Sequence, residues 1–347
     1  MKKYLVHVLT AVIMTSAIVT AIMWIVDPYM YFHYSSWHKT VYFINQQRFQ
    51  NAGIALNQNY DSVVIGTSMA ENFSTIQIDK KLGWKTVNLS ISGSSAHEQR
   101  RLLEFALKTG KVKNVLWVVQ WDSFAHPVDF VRPDAIFPEG IYDGSRLSLF
   151  QNYLMNTNML AYAARVFFDK NNSMDTAWNW AGDFKFGCAS VASSYNDMSR
   201  NLVVKKAFGS GEFLTDAQSI ERSIQKNLRD VVKHNPDVRF ILVIPPYSKW
   251  SYKALQNKSG FTALSGVLNF REKIASDLNG FSNVSLLDYQ SDPRIILDAA
   301  DYKDTEHYSP RINAMMVDEI ANRVALPMQS QSEFLTRINR PGNCLDE

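Results

Sequence analysis

Ser68 and His307 are the residues of this chain whose surroundings best suit them to a reaction. The stretch Asp61–Phe73 reads DSVVIGTSMAENF. Ser62-Val63-Val64-Ile65 is a short apolar, β-rich run, Gly66-Thr67-Ser68 is a tight break, and the polar residues beyond can open a helix. Strand, sharp turn and helix lift a serine hydroxyl to the carboxyl edge of an α/β sheet, where ligands bind in open parallel sheets. A hydroxyl is a weak nucleophile unless an imidazole takes its proton, and a carboxylate must hold that imidazole in the right tautomer. Asp304-Thr305-Glu306-His307, far downstream, offers both groups. Ser68 is therefore the expected nucleophile, His307 the general base and Asp304 its orienting carboxylate, with Asp301 as the alternative carboxylate. Ser68 can equally serve as a plain helix cap.

Gly93, in Asn88-Leu89-Ser90-Ile91-Ser92-Gly93-Ser94, follows the second β-rich run. A glycine lets backbone approach a ligand and present its N–H. With the Ser68 N–H it can form an oxyanion hole, which stabilises charge developing on a tetrahedral intermediate; the other reading is a simple strand-to-helix turn. Among the remaining histidines, His97 reads as a polar surface or capping group at a helix start. His126 and His234 lack a strand-end context.

These groups can meet only if the elements between them form one sheet. Strands are expected at Ser62–Ile65, Thr86–Ile91, Val115–Val119, Phe240–Ile244 and Val284–Leu287. Helical periodicity falls at Ala96–Leu107, Ala217–Val232, Leu268–Leu278 and Ile312–Val324, with a further helix over Asn45–Leu56. Strand–helix alternation with near-continuous apolar strands predicts a flavodoxin-like three-layer α/β/α fold around a mainly parallel five-stranded sheet. Asp304–His307 then follows the fifth strand at the same edge as Ser68, and Ser309-Pro310 starts the next helix. An insertion of about residues 123–215 breaks the rhythm and is too long for a simple connection. It is rich in aromatics, Trp178 and Trp180 among them, and holds a helix candidate, Leu147–Phe168. It is either a lid over the sheet edge or a decorative subdomain.

The chain has 347 residues, 46% apolar and 20% charged, with net charge +3. That balance is ordinary for a globular protein and too even to argue for nucleic acid. The first residues, Met1-Lys2-Lys3, precede an almost wholly apolar run from Tyr4 to Val26, long enough to cross a bilayer. The lysines favour a cytoplasmic amino terminus and an outward-facing remainder. An uncleaved anchor over residues 1–27 is the expectation, ended by Asp27-Pro28; a cleaved signal peptide is the competitor. Residues 28–60 read as a connecting segment, 61–330 as the α/β domain and 331–347 as a tail. Cys188 and Cys344 lie far apart with no CxxC, so zinc is not expected; they are either one disulfide or two free thiols. Neither a metal nor a cofactor is expected.

Gly66-Thr67-Ser68, Gly93 and Asp304-x-x-His307, in this order, resemble the blocks of the SGNH (GDSL-like) hydrolase superfamily over about residues 60–326. The first block is GTS rather than GDS. The third, GxND, is absent: the third strand ends Val119-Gln120-Trp121-Asp122, so Gln120 or Asp122 stands where the family's oxyanion-hole asparagine is expected. An ionised Asp122 there would repel an oxyanion. One membrane span before such a domain is similar to the teichoic-acid D-alanyl transfer and the alginate and peptidoglycan O-acetylation proteins. That resemblance implies a serine-dependent O-acyltransferase held by a single span in the inner (cytoplasmic) membrane with its soluble domain on the outer, periplasmic side, a polysaccharide acceptor in the cell envelope and a membrane-embedded acyltransferase partner. The alternatives are an SGNH esterase acting on a glycan or lipid, and a catalytically silent envelope partner protein.

Overall fold

The computed structural model describes residues 1–34, 36–154, 158–168, 180–199, 216–259 and 261–345. Five strands, β1 (Ser62–Ile65), β2 (Thr86–Asn88), β3 (Asn114–Val118), β4 (Arg239–Ile244) and β5 (Val284–Asp288), form one sheet in the order β2-β1-β3-β4-β5. Every pair is parallel; Val64 lies opposite Leu116, and Leu116 opposite Ile241. This is the flavodoxin-like order, and its chain reversal sits beside β1 and β3. β1 is buried along its whole length, and so is β4 from Phe240 onward. Helices therefore cover both faces of the sheet, as continuous apolar strands require.

Several element ends differ from the expected ones. The strand expected over Thr86–Ile91 stops at Asn88. Asn88 Oδ1 accepts from the N–H and hydroxyl of Ser90, which turns the chain, although Leu89 and Ile91 still donate to Val64 and Gly66. The helix expected over Ala217–Val232 runs as Ala217–Ile224, a wide turn Gln225–Arg229 and Asp230–Lys233. Leu268–Leu278 is the second half of the helix Phe261–Leu278, and the last core helix is Pro310–Ala321, begun by Ser309 and Pro310. Leu147–Phe168 divides into Arg146–Leu149, a wide turn Phe150–Leu154 and Asn158–Phe168. Residues 155–157, Trp178 and residues 200–215 lie outside the described residues.

Residues 28–60 do not form a separate connector. Tyr29, Met30, Tyr31, Val41, Phe43, Ala52, Ile54 and Ala55 are all buried in the same core as the sheet. The reason is the turn after α1 (Lys2–Val26). Asp27 takes a left-handed conformation, φ 43°, and its buried carboxylate accepts from the N–H groups of Tyr31, Phe32 and His33 and from the Tyr153 hydroxyl. Burial raises its pKa, and the four donors oppose that shift. His33 Nε2 reaches Trp24 O at 2.7 Å and His38 Nε2 reaches Val26 O at 2.9 Å, satisfying carbonyls that a helix end leaves open. α1 is the one described helix long and apolar enough to cross a membrane.

The expected tail is also part of the fold. Residues 331–338 form a helix, Gln331–Ile338, that buries Phe334 and Ile338. Cys344 is joined to Cys188 in a disulfide, which resolves the two cysteine readings.

α2 (Gln47–Asn57) packs so closely that a Cβ on Gly53 would lie 1.8 Å from Tyr29 O. Glycine to alanine inside a helix ordinarily stabilises by about 0.5–1 kcal/mol. Here the sign should invert. Gly53→Ala is expected to destabilise by about 1–3 kcal/mol through overpacking, read as a lowered Tm of the detergent-solubilised chain; an unchanged or raised Tm would contradict this packing.

Candidate active site

Ser68 is the first residue of a short 3-10 turn, Ser68–Ala70, directly after β1. Gly66 makes that turn possible. It has φ 152°, and a Cβ there would lie 2.8 Å from Ala70 Cβ and 3.0 Å from Val118 O. Thr67, not Ser68, is the capping residue; its hydroxyl accepts from the Met69 N–H. The helix-cap role considered for Ser68 thus falls to its neighbour.

His307 sits in a tight loop closed by an antiparallel bridge between Tyr302 and Tyr308 and by Lys303 N donating to His307 O. Inside that loop Asp304 Oδ1 accepts from the N–H groups of Glu306 and His307, at 2.8 and 2.7 Å. Its Oδ2 faces His307 Nδ1 at 2.8 Å. A carboxylate there makes Nδ1 the protonated nitrogen and leaves Nε2 as an acceptor. His307 Nε2 lies 2.8 Å from Ser68 Oγ, across 239 residues of sequence. The Tyr308 hydroxyl and Asn313 Nδ2 both donate to Met69 O, tying the histidine loop to the serine turn. Ser248, after β4, binds Thr305 O through both its N–H and its hydroxyl.

Asp301, the alternative carboxylate, is not at the imidazole. It accepts from Ser309 Oγ and from the Arg311 guanidinium, and so starts the next helix instead.

Ser68 and His307 open onto a cavity of about 580 Å³ that Gly93, Gln120 and Asp122 also line. Among the described backbone hydrogen bonds, neither the Ser68 nor the Gly93 N–H is taken by another carbonyl. Gly93 has φ 60°, and its carbonyl accepts from Arg132 Nη1 at 3.3 Å. Gln120 is held on both sides: its Oε1 accepts from the Thr67 hydroxyl and its Nε2 donates to the Tyr247 hydroxyl at 2.9 Å. That hydroxyl in turn donates to Asp122 Oδ1 at 2.9 Å. Burial raises the Asp122 pKa, and the Tyr247 hydrogen bond opposes that shift.

The sequence reading missed several cavity residues. Glu306 has its pKa pushed up to about 7, first by burial and then by Asp122. His126, buried and stacked on Phe130 at 4.1 Å, is lowered to about 4 by burial, so its imidazole is neutral. Trp180 meets the His307 ring edge-on at 5.3 Å, and Lys303 Nζ lies 3.9 Å from the Trp180 and Phe184 ring centres. His97 is buried rather than at the surface, 2.7 Å from Glu139. The loop at Gly93 is braced by α2: Gln47 Oε1 accepts from Ser92 N, Arg48 pairs with Glu98, and Asn51 donates to Leu89 O and Ser90 O. The insertion's aromatics gave a signal in sequence; the bracing by α2 gave none. No group of three or more His, Cys, Asp and Glu among the described residues could hold a metal ion.

No protein-family model matches the chain, and no curated protein matches it. Among solved structures, one described as "a putative platelet activating factor from Streptococcus pneumonia" aligns with 80% of this chain and 90% of its own, at 12% identity and a TM-score of 0.38. A likeness of that degree assigns neither family nor activity.

Burial lowers the His307 pKa, but Asp304, by charge and hydrogen bond, overcomes it and leaves the imidazole above its ordinary value. A general base must be neutral, so reactivity at Ser68 should fall as pH drops through that raised pKa. Asp304→Asn removes the raising charge. It should move the acid limb to lower pH and cut the rate by about 10⁴-fold. The pH dependence of fluorophosphonate labelling at Ser68 measures both; an acid limb that stays put would exclude this pairing.

Proposed function

We propose that the chain is a membrane-anchored, serine-dependent O-acyltransferase that modifies a polysaccharide of the cell envelope through an acyl-Ser68 intermediate. The observation that carries this reading is the line Ser68 Oγ–His307 Nε2–Nδ1–Asp304 Oδ2, with 2.8 Å at each hydrogen bond, at the mouth of a cavity. Ser68 Oγ attacks the donor's acyl carbonyl while its proton passes to His307 Nε2. The tetrahedral oxyanion faces the N–H groups of Ser68 and Gly93. His307 returns the proton to the departing alkoxide, leaving an acyl ester on Ser68. An acceptor hydroxyl then gives its proton to His307, attacks the ester and carries the acyl group away, and Ser68 recovers its hydrogen.

Transfer is favoured over hydrolysis because described residues of the insertion line the cavity. His126, Phe130, Arg132, Trp180 and Phe184 line it from that insertion. Excluding water protects an acyl intermediate until an alcohol arrives. An esterase would use the same steps with water as acceptor. Placement on the outer face of the cytoplasmic membrane is supported by Lys2 and Lys3 at the start of α1 and by the Cys188–Cys344 disulfide, which belongs to an oxidising compartment. A multi-spanning acyltransferase that carries acyl groups across the membrane is the partner this reading requires.

The experiment is to incubate the full chain in detergent with p-nitrophenyl acetate and an envelope oligosaccharide. Acetyl on the glycan supports transfer, whereas acetate alone supports the esterase. Ser68→Ala and His307→Ala should each lower turnover by about 10⁴-fold or more while the fold persists. Wild-type turnover in either variant would defeat the proposal, and a wild-type chain unreactive toward fluorophosphonate would favour a silent partner protein.

A further inference from the structure

We propose that the helix Asn158–Phe168 is a second membrane contact, lying in the lipid headgroup region beside α1 and fixing the height of the cleft above the bilayer. The inference rests on α1 crossing the membrane and goes beyond the acyl-transfer reading.

This helix has two apolar faces. Met159, Ala163 and Val166, at i, i+4 and i+7, are buried against the protein. Leu160, Ala164 and Phe167 repeat the same spacing one residue on and are exposed, with Ala161 and Phe168 beside them. Phe167 is 60% and Phe168 81% exposed. A helix apolar on both sides is at home when buried or in lipid rather than against water. Tyr162 sets its orientation, packing against Phe43 at 4.8 Å and Tyr29 at 5.7 Å.

Its neighbour identifies what covers the outer face. The helix packs against α1, where Val19, Met23 and Val26 are the residues turned toward the protein. α1 has 25 residues and at 1.5 Å per residue spans about 37 Å, against about 30 Å of hydrocarbon. With Lys2 and Lys3 held at the opposite boundary, the surplus of about 7 Å falls in the last turns. Those are the turns that Asn158–Phe168 abuts. Its outer face therefore sits where acyl chains give way to headgroups. Trp37 extends the patch, 5.6 Å from the Phe167 ring. Indole and phenyl rings favour that depth, and interfacial helices there bury their apolar side about 5–10 Å. α1, against which this helix packs, also exposes large apolar side chains near its end, Trp24 and Ile25, so the occupant is lipid.

The test uses the full chain in phosphatidylcholine vesicles, with no other protein present. Leu160→Cys, Phe167→Cys and, within α1, Ile13→Cys are each labelled with nitrobenzoxadiazole after the Cys188–Cys344 disulfide is verified. Nitroxide lipids and aqueous iodide serve as competing quenchers. Labels at 160 and 167 should be quenched at least several-fold more by shallow nitroxide lipid than by iodide, and the label at 13 by deep nitroxide. A quenched label at 13 with iodide-accessible labels at 160 and 167 would overturn this proposal alone and point to a protein partner on that face. An iodide-accessible label at 13 would overturn it together with the membrane span. Fluorophosphonate labelling of Ser68 in the same vesicles reports separately on the acyl-transfer reading.

Discussion

The contact between Ser68 and His307 joins the first strand of the sheet to the loop after its last, and most of the surrounding structure exists to make it inevitable. A hydrogen bond of this kind contributes only about 1 kcal/mol net, so it cannot position the groups that make it. That task falls to the backbone. Gly66 permits the turn, Asp304 ties down two N–H groups of its own loop, and Met69 O receives donors from Tyr308 and Asn313. Ser248 fastens the loop to the end of β4. The imidazole is thus held from three directions before any substrate arrives, which is what pre-organisation requires.

Burial works unevenly on the acids around this contact. It pushes the pKa values of Glu71, Asp122 and Glu306 upward. Desolvation raises half-buried Asp304 too, yet His307 and the two loop N–H groups bring it down to about 2. Environments that push similar groups apart are how one site assigns them different roles.

The serine, the histidine, its carboxylate and the five strands could be read from the chain because their signals are local. Each strand is a short apolar run, Gly66 breaks the first, and Asp304 stands three residues before His307 on one loop. The supporting parts carry no such signal. Gln47, Arg48 and Asn51 look like polar residues of a linker helix, and nothing near them in sequence says that they hold Ser92, Glu98 and Leu89. Glu306 and His126 gain their character from burial, which becomes visible only when remote segments close over them. The same applies to Asp27, which reads as a helix stop before proline and proves to be a buried acceptor of four hydrogen bonds.

That Asp27 junction makes α1 a mast rather than a tether. A flexible leash would let the cleft wander over a hemisphere, and its encounters would scale with linker length. Here the carboxylate, the left-handed turn and the two histidines weld the mast to the deck. On the membrane-anchored reading proposed above, whatever the cleft meets must pass at one fixed altitude, and an α1 two turns longer would miss it.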